Sequence, residues 1–265
     1  MRLNAQQRVP RDVERARLRE GFDEAASAYE VNRLAPWYQE QGRMVLEELG
    51  VLSGPLVDVG CGTGWFLRRV AESHPGTACV GVDLSAGMVA RAREAAESEG
   101  LAGVCFLEGD WENEETLGRV AAALPTPAAA VTCISAFHYF RDPVAALAGM
   151  RRILAPGGRV ILVERALDGS PLTTLWDLLH RRVLRDGVRF YRTREIELLM
   201  IEAGVDTPRT VRRVRRYFWK GKLYTSLGVV TGTRARAPAD GTAGERGEPG
   251  TLHATPTNRR DVHGC

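Results

Sequence analysis

The stretch Val57-Asp58-Val59-Gly60-Cys61-Gly62-Thr63-Gly64-Trp65 constrains the fold more than any other part of the chain. Pro55 to Val59 is short and apolar and carries β-branched residues, the pattern of a buried strand. Beyond the glycines, Trp65, Phe66, Val70 and Ala71 recur at helical spacing, with Arg68, Arg69 and Glu72 between them. The glycines therefore sit in a strand-to-helix turn. There the backbone takes positive φ and lets a ligand approach with no Cβ in the way. The open N–H groups of the helix start favour a polar or anionic ligand group. Asp58 stands two residues ahead of Gly60. The spacing is GxGxG; a dinucleotide fingerprint, GxGxxG, would want its last glycine where Trp65 stands.

Strand and helix patterns alternate downstream. Thr77 to Val82 reads as a second strand ending at Asp83, which lies 19 residues past Gly64. An acid at that point can accept from both hydroxyls of a ribose. Ser85 is a suitable N-cap for a helix to Glu99. Val104 to Leu107 is a third strand, ending in Glu108-Gly109-Asp110-Trp111, and Asn113 to Leu124 is a helix. Ala128 to Ile134 is a fourth strand, followed by Ser135-Ala136-Phe137-His138-Tyr139. A helix from about Pro143 to Leu154 leads through Pro156-Gly157-Gly158 to a fifth strand, Arg159 to Glu164. Such alternation predicts an α/β, doubly wound parallel sheet with ligands at the carboxyl ends of the strands.

The flanks differ. Residues 1–11 are polar and are expected to be disordered. Asp12 to Tyr29 and Trp37 to Leu49 are helical, the second stopped by Gly50. Past the fifth strand, Leu172 to Asp186 reads as a helix over the mouth of the site. Thr193 N-caps a further helix to Ala203. Thr207 to Tyr217 and Lys222 to Gly232 read as final strands, with Gly221 at their turn. From Arg234 to Cys265 the large aliphatics are only Leu252 and Val262, too few to offset the entropy of ordering, and a disordered tail is expected.

Taken in order, Asp58-Val-Gly60-Cys-Gly62-Thr-Gly64, Asp83, Gly109-Asp110 and Pro156-Gly157-Gly158 resemble the class I S-adenosylmethionine (SAM)-dependent methyltransferases. The nearest branch is the ubiquinone/menaquinone-biosynthesis-like (methyltransferase type 11) one. The likeness covers about residues 20 to 232 and includes Phe22-Asp23-Glu24-Ala25-Ala26-Ser27-Ala28-Tyr29, which resembles that branch's FDxxAxxY lead-in. The resemblance implies a Rossmann-like seven-stranded sheet, mostly parallel with an antiparallel C-terminal hairpin. It also implies a single domain over 12–233: a helical cap (12–50), a SAM-binding core (51–165), a helical lid (166–203) and final strands (204–233).

The resemblance further implies that Asp58, Gly60, Cys61, Gly62, Gly64, Asp83, Leu84, Met88, Asp110, Trp111, Ser135 and Tyr29 hold SAM. Asp58 would face the methionine amine, Asp83 the ribose and Asp110 the adenine. His138 is the one candidate base near the fourth strand, and a packed histidine beside aromatics is the competing reading. Tyr139, Trp37, Trp176 and His180 are candidates to line an acceptor pocket, and each is equally suited to the core.

Composition narrows the partners. No apolar run reaches the roughly 18 residues of a membrane-spanning helix. The N-terminus has no apolar signal-peptide core, so a cytoplasmic location is expected. The cysteines and histidines show no metal-ligand spacing. Net charge of +3 is mild. The run Arg209 to Arg216 keeps an RNA substrate open as a weaker alternative, its plainer reading being a solvated strand face. After the fourth strand, Ser135-Ala136-Phe137-His138 stands where base-amine methyltransferases carry Asp/Asn-Pro-Pro-Tyr, so nucleic acid is disfavoured and a small molecule, aromatic or isoprenoid-like, is expected. An NAD(P)-dependent oxidoreductase and a SAM-binding protein without methyl transfer remain the rivals. Oligomeric state is not legible.

Overall fold

The computed structural model describes residues 10–32, 34–169, 171–179, 188–214, 218–219, 222–223 and 226–236. Strands β1 (Leu56–Val59), β2 (Cys79–Asp83), β3 (Val104–Glu108), β4 (Ala128–Ile134) and β5 (Leu154–Ala166) pair in parallel. After β6 (Asp206–Val214) come a small pairing of β7 (Phe218–Trp219) with β8 (Lys222–Leu223) and then β9 (Ser226–Thr233). Strand β9 slots antiparallel between β5 and β6, and the seven-stranded order is β3-β2-β1-β4-β5-β9-β6. This is the doubly wound parallel sheet that the alternation predicts, with the antiparallel end that the resemblance implies. Because the chain leaves β1 in one direction for β2 and later returns on its other side as β4, the carboxyl ends of β1 and β4 flank the crevice where such sheets take ligands.

Both faces of the sheet are covered, so its strands read as near-continuous apolar runs. On one face lie α5 (Glu114–Ala123), α6 (Pro143–Ile153) and α8 (Thr193–Glu202), through Val120, Leu147, Met150, Ile196 and Met200. On the other lie α2 (Ala35–Leu49), α3 (Trp65–Ser73) and α4 (Ala86–Ser98), through Val45, Leu49, Phe66, Leu67 and Ala92. Strand residues alternate between the two cores: Val57 and Val59 face the first, Leu56 the second. Helix α1 (Arg11–Ala25) crosses the carboxyl edge of the sheet and packs on α4.

Several expectations are corrected. Helix α8 is no lid; it packs on β6, β9 and α6 as the crossover helix between β5 and β6. It starts at Thr193, whose hydroxyl and amide donate to Asp168, while Glu195 reaches back to the Arg192 amide at 2.7 Å. The helix expected over 172–186 is α7, Pro171–Leu179; its remainder lies outside the described residues. The tail does not detach at 234: Arg234 exchanges backbone hydrogen bonds with Gly157 and Gly158, and Ala235 N donates to Asp206. The rest of the expected tail (237–265) and residues 1–9 lie outside the described residues. Among the described residues no helix is long and apolar enough to cross a membrane.

Candidate cofactor and acceptor site

All three turn glycines have positive φ: 75° at Gly60, 54° at Gly62 and 73° at Gly64. They are not interchangeable. A Cβ at Gly60 would lie 2.4 Å from the Ala136 Cβ, and one at Gly64 would lie 2.5 Å from the Phe106 ring. These two are glycine because strands and helix pack directly on the turn. A Cβ at Gly62 would meet only Tyr29 Cε1, at 3.9 Å, so here the missing side chain opens space rather than relieving packing.

That space belongs to an open cleft between the glycine turn and the cap. Asp58, Gly60, Cys61, Gly62 and Thr63 line its floor; Tyr29, Glu30, Tyr38 and Gln39 line its roof. Asp58 is buried, accepts from the Thr132 hydroxyl at 2.6 Å, and is pushed up to about 7, first by desolvation. Asp83 ends β2 and binds the turn: its Oδ2 accepts from Gly62 N at 2.8 Å and its Oδ1 from Ser85 N at 2.9 Å. Burial raises its pKa too, against those hydrogen bonds. A desolvated carboxyl at Asp58 suits a ligand that brings a cation, and one at Asp83 suits hydroxyl donors. On this chemistry the residues present fit SAM.

The cap is fastened to the loops that follow the strands. Asp23 of α1 accepts from Ser85 Oγ at 2.5 Å and from Gly87 N at 2.8 Å, which holds its carboxyl below the usual range. Arg19 donates to Leu84 O, and Arg15 pairs with Asp110 and Glu112. Tyr29 stacks on Tyr38 with ring centroids 5.0 Å apart, and burial raises its phenol well above the usual range. Ser135, at φ 53°, donates to the buried Gln41 of α2 at 2.5 Å.

Next to this turn, His138 Nδ1 lies 2.8 Å from Glu164 Oε2. Glu164 is buried at the end of β5 and also accepts from Phe137 N at 2.7 Å. Nε2 of His138 has no hydrogen-bond partner among the described residues. The imidazole sits between the rings of Tyr139 and Phe190, with Phe22 edge-on to Tyr139.

The expected residues thus fall into distinct groups. Asp58, Gly60, Cys61, Gly62 and Tyr29 line the cleft; Asp83, Leu84, Asp110 and Ser135 stand in or beside the loops that follow the strands, and Met88 lies in the first turn of α4 with its side chain buried. Trp111 is buried in the first core, where its Nε1 donates to Ala146 O at 3.0 Å, which leaves its backbone amide for the expected cofactor contact. Of the two readings open for Trp37 the structure shows the core one, since it is buried in the second core on α2. Tyr139 is half-buried against His138 and Phe22. Trp176 lies in α7, its side chain outside the described residues, as is His180. Sequence reading missed Glu164, Gln41, Glu30 and Arg68. A charge closing the apolar run Val160 to Val163 was the available signal for Glu164. Among the described residues no His/Cys/Asp/Glu cluster has metal-binding geometry.

The comparisons with known proteins agree with this geometry. Residues 56–158 match a family model described as a methyltransferase domain. The chain is 36% identical over 150 residues to a demethylmenaquinone methyltransferase of Thermus thermophilus, covering 54% of this chain and 63% of the relative. It is 31% identical over 144 residues to the aklanonic acid methyltransferase DauC of a Streptomyces species, covering 53% of this chain and 61% of the relative. The chain thus spans less than two thirds of the length of these relatives. In fold it is similar to a SAM-dependent methyltransferase of Thermotoga maritima, with a TM-score of 0.60 at 22% identity, covering 83% of this chain and 99% of the other.

Proposed function

We propose, from the premise that this chain carries a class I SAM-dependent methyltransferase domain, that it transfers a methyl group to a small aromatic or quinone-like acceptor through an oxygen or acidic carbon that must give up a proton. The observation that carries the cofactor half is the pair of desolvated carboxyls, Asp58 and Asp83, at an open glycine turn. On this reading Asp58 would meet the cofactor's ammonium, Asp83 the ribose hydroxyls, and the space above Gly62 would take its methionine portion. When bound, SAM supplies an electrophilic methyl on a cationic sulfur.

The chain's own part is to align the acceptor, exclude water and take its proton. A neutral His138 donates Nδ1–H to Glu164, which leaves the Nε2 lone pair as the base. Glu164 holds that tautomer and ring orientation and offsets the imidazolium that forms. The acceptor O–H or C–H would give its proton to Nε2 and its electron pair to the methyl carbon, while the methyl–sulfur bond pair would stay on the leaving sulfur as a neutral thioether. The Tyr139 ring, packed against the His138 imidazole, favours a flat acceptor beside that base. The names of the relatives, which include a demethylmenaquinone and an aklanonic acid methyltransferase, support this class. An RNA substrate gains little: Arg212 is paired with Glu47 and Arg213 with Asp168, while Arg215 and Arg216 lie outside the described residues.

The test is calorimetric titration with SAM and with S-adenosylhomocysteine (SAH), against NADH, followed by transfer of a labelled methyl to a panel of phenols and hydroxyquinones. Binding of both ligands with label in an acceptor is the expected result. NADH binding in place of SAM and SAH overturns the cofactor reading; SAM binding with no transfer to any acceptor leaves a SAM-binding module.

A further inference from the structure

The cap meets the glycine turn through one buried cation whose partners come from three separate elements. Arg68, on the second turn of α3, is buried. Its Nη1 donates to Thr63 O, inside the glycine turn, at 2.7 Å. Its fork takes Glu30 of the cap in a bidentate pair, at 2.9 Å and 3.1 Å. Its Nε donates at 3.1 Å to Glu99, at the C-terminal end of α4. Glu30 is also part of the cleft roof and directly follows Tyr29, the residue that faces Gly62.

We propose that Arg68 and Glu30 form a latch that holds the cap shut over the cleft and so sets how long a bound cofactor stays; Arg68 is thus a positioning residue for SAM. The proposal rests on the cofactor reading above. The charge arithmetic favours a reversible device. Stranding a buried guanidinium is costly, but lifting Glu30 away leaves Arg68 with Glu99 and the Thr63 carbonyl, so opening orphans no charge. A bidentate Arg–carboxylate pair is also directional. It fixes Glu30, and with it Tyr29, at one height above Gly62.

Glu99 supplies a matched control, since it pairs with the same guanidinium and its side chain is 31% exposed against 33% for Glu30. It also pairs with Arg69, so Glu99→Gln removes at least as much charge pairing as Glu30→Gln. Two measurements on the full chain separate the latch from simple bracing. The first is amide hydrogen exchange over residues 26–38 without ligand. The second is the SAH dissociation rate by stopped flow. Glu30→Gln is expected to speed both by about tenfold, the equivalent of one charge-assisted hydrogen bond, and Glu99→Gln by less than about twofold. Equal effects of the two variants, or no acceleration in Glu30→Gln, overturn the latch. Failure of the wild type to bind SAH or SAM overturns the cofactor reading instead, and hydrogen exchange still decides the latch.

Discussion

Asp58 and Thr132 are register partners on the neighbouring strands β1 and β4, and the Thr132 hydroxyl donates to the Asp58 carboxyl at 2.6 Å. Desolvation nevertheless pushes Asp58 up to about 7, with Asp83 adding to the shift. The folded protein keeps this proton where the unfolded chain has lost it. The term is therefore absent below the unfolded value of 3.8, destabilises progressively as pH rises toward about 7, and is constant above that. Scanning calorimetry of the ligand-free protein should show Asp58→Asn gaining stability relative to wild type across that window. If the cofactor's ammonium meets Asp58, SAH binding near pH 6 should also release a proton. Titrations in buffers of different ionisation enthalpy will detect it, and Asp58→Asn should abolish it.

Asp83 joins the turn to the helix that follows β2, accepting from Gly62 N and Ser85 N. Replacing it by alanine removes a charged acceptor from two backbone donors and, on our reading, from the ribose. Loss of SAH affinity of about 1–3 kcal/mol is expected by calorimetry, with a fall in Tm. Asp83→Asn should recover part of the stability and little of the affinity, because an amide serves fewer donors.

The glycines separate packing from binding. Gly64→Ala drives a Cβ to 2.5 Å from Phe106 and should unfold the protein or cost several °C in Tm, as overpacking of about 1–3 kcal/mol predicts. Gly62→Ala meets nothing closer than 3.9 Å and should lose only about 1–2 kcal/mol for its left-handed φ. Its SAH affinity should fall well beyond that loss, since the new methyl group enters the cleft. Thermal melts beside titrations check both.

Glu164 is 26 residues from His138 in sequence and bonds both its imidazole and the Phe137 amide. Glu164→Gln can still accept from that amide but carries no charge for an imidazolium. Methyl transfer should slow by about 10²-fold or more, with SAH affinity unchanged. Acceptors already ionised at the assay pH, such as nitrophenols, should lose much less. Equal loss for both acceptor types would show that Glu164 serves only to hold the turn.

Much of this protein is decided by local chemistry that the sequence carries openly. The five strand–helix alternations follow from apolar period and from turn residues, and they specify a doubly wound sheet. Gly60, Gly62 and Gly64 follow from the need for positive φ, and Asp58 and Asp83 from their places at strand ends. Tertiary packing decided the rest. Trp37 and Trp111 have the same aromatic character as Tyr29, and only the docking of α2 and of the loop after β3 sends their side chains into the cores. The partners of Arg68, at 38 and 31 residues' distance, and of His138 meet through crossover connections. Sequence periodicity reports which face of one element is apolar. Which charge on one element reaches which charge on another depends on how the elements dock, and no short-range pattern encodes that.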